Sequence, residues 1–236
     1  MLHHGLLGEP EQRALLDALA SPRYRTPWGI RSTPNDSPLY DPDAYARGSV
    51  WALGTAEAIT AFYDAGRPAM ATALWRDLVP WFGLDSPGHM HEVLNGDEFA
   101  PERESVPDQT WSSAAFLSSG VRGLLGLQID GAKRRLRFAP RIPADWDALR
   151  VRHIVLAGAE VGLALRISSD SVALEIENSG PRMTLGFRPP LQSGVHVKSA
   201  IVSGGAQLAD SVGDAIETIV PGHRTSRIVL QVATSR

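Results

Sequence analysis

The strongest constraint on this chain is a change in the period of its apolar residues near residue 128. Upstream, apolar side chains recur at helical spacing. Residues 10–20 put Leu15, Leu16 and Leu19 on one face behind Pro10, and proline is tolerated in a helix's first turn because the missing N–H has no partner there anyway. Residues 48–65 carry a broad stripe of Val50, Leu53, Ala56, Ile59, Ala61 and Phe62, with Gly66 as the stop, since glycine readily adopts the left-handed conformation that ends helices. Residues 68–82 and 109–126 predict two more helices, the last rich in small residues and suited to burial on most sides.

Downstream the period falls to two. In 171–178, Val172, Leu174 and Ile176 alternate with Ala173, Glu175 and Glu177, the pattern of a half-buried strand. Similar runs occupy 136–140, 149–158, 159–168, 183–187, 195–202, 215–220 and 227–233, with turn residues between most of them. Short strands at even spacing predict an antiparallel sandwich. Helices followed by strands, with little mixing, predict an α+β chain of two regions, 1–127 and 128–236.

Composition excludes several functions. There is no cysteine among 236 residues, which removes disulfides, thiol catalysis and Cys-based zinc sites. A formal net charge of −3, with scattered Lys and Arg, argues against a nucleic-acid partner. No window reaches the ~18 apolar residues of a membrane span, and the first residues lack a basic, apolar leader. We therefore expect no membrane association, and cytoplasmic placement is favoured over export. The histidines do not converge, so no metal or other cofactor is expected.

The chemistry concentrates in two long irregular segments, 21–46 and 83–108. Structureless loops of this length are uncommon in compact domains and are often functional. The stretch GHMHEVLNGDEFAPERESVPDQTWS (88–112) sets Glu92, Asp97 and Glu98 in a loop before a helix opened by Gln109 and Trp111. A loop carboxylate is most often a solvated charge or a cap. Glu92, however, lies between His91 and the apolar pair Val93-Leu94.

EVLNGDEFAP, SVPDQTWSSAAFLSSGVRGLLGLQ and RLRFAPRIPADW, with YARGSVWALGTAEAITAFYDAG upstream, resemble the C-terminal end of bacterial glycogen-debranching (amylo-α-1,6-glucosidase-like) proteins. These belong to the (α/α)6-barrel, or six-hairpin, glycoside hydrolases. The resemblance spans about residues 24–150. It implies a partial (α/α)6 toroid followed by a β-sandwich, acting on oligo- or polysaccharide by inversion. Inversion needs two carboxyl groups roughly 6.5–9.5 Å apart, one protonating the leaving oxygen and one activating water.

The resemblance puts Glu92 at the position of the base, against the alternative of an ion pair with Arg47. Trp51 and Trp111 match aromatic positions, flat faces suited to sugar C–H groups, although core packing explains Trp51 equally simply and Trp111, on a small-residue helix, slightly better. Tyr45, Arg47 and Gln109 stand beside them as hydroxyl contacts. Asp97 is placed either to orient Glu92 or bind a hydroxyl, or to cap the Asn95-Gly96-Asp97 turn.

A complete barrel has twelve helices, and about four are legible here. The relatives' general acid, an Asp, belongs to the half of the barrel preceding this region, and no segment here resembles its motif. A truncated chain, a partner chain completing the barrel, and an inactive relative all fit. So does a non-catalytic carbohydrate-binding or structural module, although residues 150–236 hold one Phe and no Trp or Tyr for a sugar platform. About four helices cannot enclose a barrel core, so residues 1–127 are expected to expose apolar surface.

Overall fold

The computed structural model describes residues 6–234. The chain divides into two compact units, one ending at Leu124 and the other beginning at Leu125.

The first unit holds four α-helices: α1 (Glu9–Ala20), α2 (Ala52–Asp64), α3 (Pro68–Leu78) and α4 (Thr110–Ser118). Its strands are two-residue ribbons: β1 (Arg25–Thr26) with β2 (Gly29–Ile30), and β3 (Val50–Trp51) with β4 (Val93–Leu94). The helix α2 is the hub, packed on α3 and α4. It buries Ala52, Thr55, Ala56, Ala58, Ile59, Ala61, Phe62 and Tyr63, more than one face, as the apolar stripe predicts. It ends as Gly66 predicts. Gly66 has φ +70, its N–H donates to the Tyr63 carbonyl, and the Arg67 N–H donates to the Phe62 carbonyl. That pair of bonds satisfies the last carbonyls of the helix.

Three boundaries differ from the periodic reading. The helix expected over 68–82 is α-helical to Leu78 and tightens into a 3-10 turn over Val79–Gly83. The helix expected from residue 48 starts at Ala52, because Val50 and Trp51 pair with Leu94 and Val93 across an antiparallel ribbon. The helix expected over 109–126 is α-helical only to Ser118, then widens into a π-turn over Ser119–Leu124. Small residues allow close approach there. A Cβ added to Gly123 would lie 2.7 Å from the Tyr63 ring. Nearby, Trp75 stacks on Phe116 at 4.8 Å and Phe82 meets it edge-on at 4.8 Å.

The second unit is a two-sheet β-sandwich. One sheet runs in the order β12 (Gln207–Val212), β13 (Ala215–Val220), β10 (Met183–Phe187), β6 (Arg135–Phe138), β5 (Leu127–Asp130). The other runs β11 (Val195–Ser203), β14 (Arg224–Thr234), β9 (Ser171–Asn178), β8 (Ala159–Ile167), β7 (Ala148–Leu156). Inward residues of both sheets form one core, in which Leu136, Phe138, Leu185 and Phe187 meet Val161, Leu174, Ile176 and Ile228. Phe138 and Phe187 stack at 5.8 Å.

Val172, Leu174 and Ile176 are all buried, as their alternation predicts. Pairing is antiparallel except between β6 and β10. The chain leaves the first sheet after β6, builds β7–β9 in the other, and returns beside β6 running the same way, as a crossover requires. β5 and β12 escaped the periodic reading. β5 is four residues long with Leu127 alone buried, and β12 is exposed along its whole length, so neither offers an alternation to detect. No helix among the described residues is long and apolar enough to cross a membrane.

Candidate active site

The loop before α4 is built around β4. The Glu92 N–H donates to the Val106 carbonyl (2.9 Å), and the Gln109 N–H donates to the Met90 carbonyl (2.8 Å). Residues 90–95 thus lie against 100–109 as an irregular hairpin. At its tip Asn95 Oδ1 accepts from the N–H groups of Asp97 (2.8 Å) and Glu98 (3.2 Å). The turn's cap is therefore Asn95, with Asp97 as the capped residue.

Two glycines let the upstream loop touch this turn. The Gly96 N–H donates to the Pro42 carbonyl, and a Cβ at Gly96 would sit 2.4 Å from the Gly48 carbonyl oxygen. Trp28 secures the same tip, its indole N–H donating to the Asn95 carbonyl at 3.1 Å.

The β3–β4 ribbon sets Trp51 opposite Val93, the residue after Glu92. Glu92 is 4% exposed. Its Oε1 accepts a 2.7 Å hydrogen bond from the Tyr45 hydroxyl. The Tyr45 ring meets Trp51 edge-on at 4.7 Å. The Trp51 indole N–H donates to the Tyr45 carbonyl and to Ser49 Oγ, both at 3.0 Å, and Ser49 Oγ donates to that carbonyl.

The hydrogen bond to Glu92 is the main cause that pushes the Tyr45 phenol up to about 12, with burial and the charges of Glu92, Glu104 and Glu102 adding to it. Tyr45 therefore keeps its proton at neutral pH and acts towards Glu92 as a donor. Glu102, 2% exposed, joins this acidic neighbourhood. Its Oε2 accepts from the Glu104 N–H at 2.8 Å, while Oε1 has no hydrogen-bond partner among the described residues.

The remaining expected site residues divide. Arg47 is exposed and pairs with Asp41 at 3.5 Å, which removes it as the ion-pair partner of Glu92. Asp97 does not orient Glu92. Its Oδ1 accepts from the Tyr40 hydroxyl (2.7 Å) and from Arg31 (3.2 Å). Burial first, and the Asp97 contact second, push the Tyr40 phenol up to about 12. Gln109 is half-buried at the N-cap of α4. Trp111, one residue into α4, is 46% exposed and so lies outside the core of this unit. Trp51 is half-buried, with its indole N–H satisfied locally.

Arg31 is the organising residue that sequence reasoning missed. Its guanidinium donates to the Tyr40 hydroxyl, the carbonyls of Gly96, Pro22 and Arg25, and Asp97. Five acceptors on one side chain bind the segment 21–46 to the turn at 95–97. An arginine in a polar loop has no local signature for such a role.

No group of three or more His, Cys, Asp or Glu able to hold a metal occurs among the described residues. A carboxylate withdrawn from water and held by a neutral phenol donor can accept a proton from a water or hydroxyl brought against it.

The comparisons bear on this geometry. Residues 1–112 match the family model described as the mannosylglycerate hydrolase MGH1-like glycoside hydrolase domain. The chain thus carries a glycoside hydrolase-like region. Among solved structures, an α-L-rhamnosidase from Dictyoglumus thermophilum superposes with a TM-score of 0.51 and 11% identity, over 75% of this chain and 21% of that one. An α-L-rhamnosidase from Streptomyces avermitilis, solved with L-rhamnose, gives 0.50 and 14%, over 75% of this chain and 17% of that one. At these identities the likeness concerns the fold alone, an α+β arrangement of helices followed by a sandwich. The chain spans about a fifth of the length of either rhamnosidase. The search of curated proteins found no match.

Proposed function

We propose that this chain supplies the base side of an inverting glycoside hydrolase, with Glu92 as the group that activates water. Residues 1–127 would form the C-terminal part of an (α/α)6 catalytic domain, and 128–236 the sandwich that follows it. One observation carries the reading: a carboxylate 4% exposed and held through Oε1 by Tyr45, whose ring packs edge-on against Trp51. The Tyr45 hydroxyl occupies Oε1, so Oε2 is the oxygen left to receive a proton.

In the reaction, Glu92 takes a proton from water as the water oxygen bonds to the anomeric carbon. The glycosidic C–O bond breaks on the opposite face, and its oxygen takes a proton from a general acid. That acid would come from outside this chain, either from further helices of a longer protein or from a partner chain. Trp51 and Trp111 would lie against the sugar, with Gln109 and Arg47 as hydroxyl donors. Tyr45 is better used as the holder of Glu92 than as a sugar contact.

The debranching-like motifs favour an α-glucosidic oligo- or polysaccharide. The family match makes a mannosyl glycoside the competing substrate. A carbohydrate-binding role for the sandwich has less support, since Phe187, the only Phe, Tyr or Trp in residues 150–236, is buried in the core.

Calorimetric titration of the full chain with maltotriose and with mannosylglycerate tests the reading. One of the two should bind saturably, and Trp111→Ala should weaken that binding about tenfold, ~1.4 kcal/mol. Absence of saturable binding by both sugars would sink the proposal. Purified chain alone should release little or no glucose from maltooligosaccharides, and measurable turnover would overturn the external acid.

A further inference from the structure

Glu92 is held from its other side by a set of groups that the hydrolytic reading does not use. The side chains of His91 and Glu92 leave the loop toward different partners. Glu92 reaches Tyr45, whereas His91, 7% exposed, lies between Asp85 and Ser105. His91 Nε2 is bonded to the Asp85 carboxylate, and His91 Nδ1 lies 3.3 Å from Ser105 Oγ. Ser105 Oγ also accepts the Val93 N–H at 3.2 Å.

The Asp85 carboxylate only accepts, so His91 Nε2 carries the proton of that bond. Ser105 Oγ uses one lone pair for the Val93 N–H and keeps its proton and a second lone pair for His91 Nδ1. The result is one continuous run from the Val93 N–H through Ser105 and His91 to Asp85. It grips the backbone on both sides of Glu92, at residues 91 and 93. The backbone bond from Glu92 to Val106, next to Ser105, closes the same clamp.

We propose that His91 is a positioning residue for Glu92, and that the Asp85–His91–Ser105 run fixes the backbone from which Glu92 projects to Tyr45. This rests on reading Glu92 as the base. The clamp itself is a geometric claim that can be tested without turnover. A base must be held within a fraction of an ångström of its water, and residues 89–92 lie outside any long ladder. A buried histidine wedged between a carboxylate and a hydroxyl supplies the rigidity that secondary structure does not.

The test is NMR of the full chain labelled with 13C at tyrosine Cζ, a nucleus sensitive to what the hydroxyl donates to. The chain has four tyrosines, and Tyr45→Phe assigns the signal of interest. His91→Gln and Ser105→Ala should each move the Tyr45 resonance at least halfway to its position in Glu92→Ala. Tyr24, Tyr40 and Tyr63 should stay in place, and Ser105→Thr, which keeps the hydroxyl, should restore the wild-type position. If His91→Gln does not fold, the Ser105→Ala and Ser105→Thr pair decides alone. A Tyr45 signal unmoved by Ser105→Ala would overturn the proposal, and so would a joint shift of all four signals, which marks general loosening. Failure of sugar binding would remove the hydrolase reading and leave this result standing. An unmoved Tyr45 would remove the clamp and leave Glu92 as the candidate base.

Discussion

The two units solve the problem of order by different means. The sandwich relies on long ladders and one core: β9 pairs in unbroken register with β8 and β14, and Leu136, Leu174, Leu185, Ile228 and Leu230 are fully buried. The helical unit has a small core around α2, and builds its site from segments with almost no regular structure. There, order comes from single side chains that bond to distant backbone, Arg31, Trp28 and Ser105, and from the local cap of Asn95. It also leaves Val79, Trp111, Leu117 and Val121 exposed, the apolar surface expected of a few helices that enclose no barrel. A core that is complete in itself can be specified by repetition. A site assembled from loops must be specified one contact at a time.

Four substitutions break or sharpen that contrast. The largest effect belongs to the sandwich. Leu174→Ala empties a fully buried position between Leu165 and Ile228 and should cost about 2–5 kcal/mol, read by chemical denaturation. A cost below ~1 kcal/mol would mean that the core is not the uniform, well-packed body described. Next, Arg31→Met keeps the volume but removes the donors to Tyr40, Gly96 and Asp97. It should cost roughly 1–3 kcal/mol, the range for acceptors that lose a charged partner, and should raise proteolysis within 21–46 and 95–97. Cleavage elsewhere, with those loops still protected, would show that Arg31 is not the tie between them.

Gly96→Ala follows, at about 1–3 kcal/mol. Its Cβ would meet the Gly48 carbonyl at 2.4 Å and the Tyr40 hydroxyl at 2.6 Å. The thermal midpoint should drop, and an unchanged midpoint would mean that the two loops part without cost.

The smallest effect is confined to alkaline pH. The Tyr45 phenol is pushed from an ordinary 10 up to about 12 in the folded chain, chiefly by its bond to Glu92. A group with a raised folded pKa contributes stability that is complete below the unfolded value and is lost as pH climbs through the folded one. Tyr45→Phe should therefore flatten the fall in thermal midpoint between pH 10 and 12, and leave the shape of the curve unchanged below pH 9. An identical alkaline slope in both proteins would disprove the Tyr45–Glu92 contact.

Much of this arrangement was legible in the chain. The alternation at 171–178 predicted which side chains of β9 face inward, and Gly66 predicted the end of α2. The pairing of Val50-Trp51 with Val93-Leu94 was not legible, because a two-residue ribbon has no period to detect. Residues 48–51 therefore read as the first turn of a helix. The cap of the 95–97 turn, for which Asp97 was one candidate and which is Asn95, was not legible for a similar reason. Both residues suit a tight turn, and only the position of Tyr40 and Arg31 decides which carboxylate or amide faces the backbone.

Local sequence, then, determined the elements and the break between helical and sheet regions, since period, capping and turn chemistry act over a few residues. Tertiary structure alone decided that Glu92 meets Tyr45 across 47 positions and that Arg31 meets Asp97 across 66. Such contacts depend on where whole segments come to rest, and nothing in the residues beside either partner encodes the distance between them.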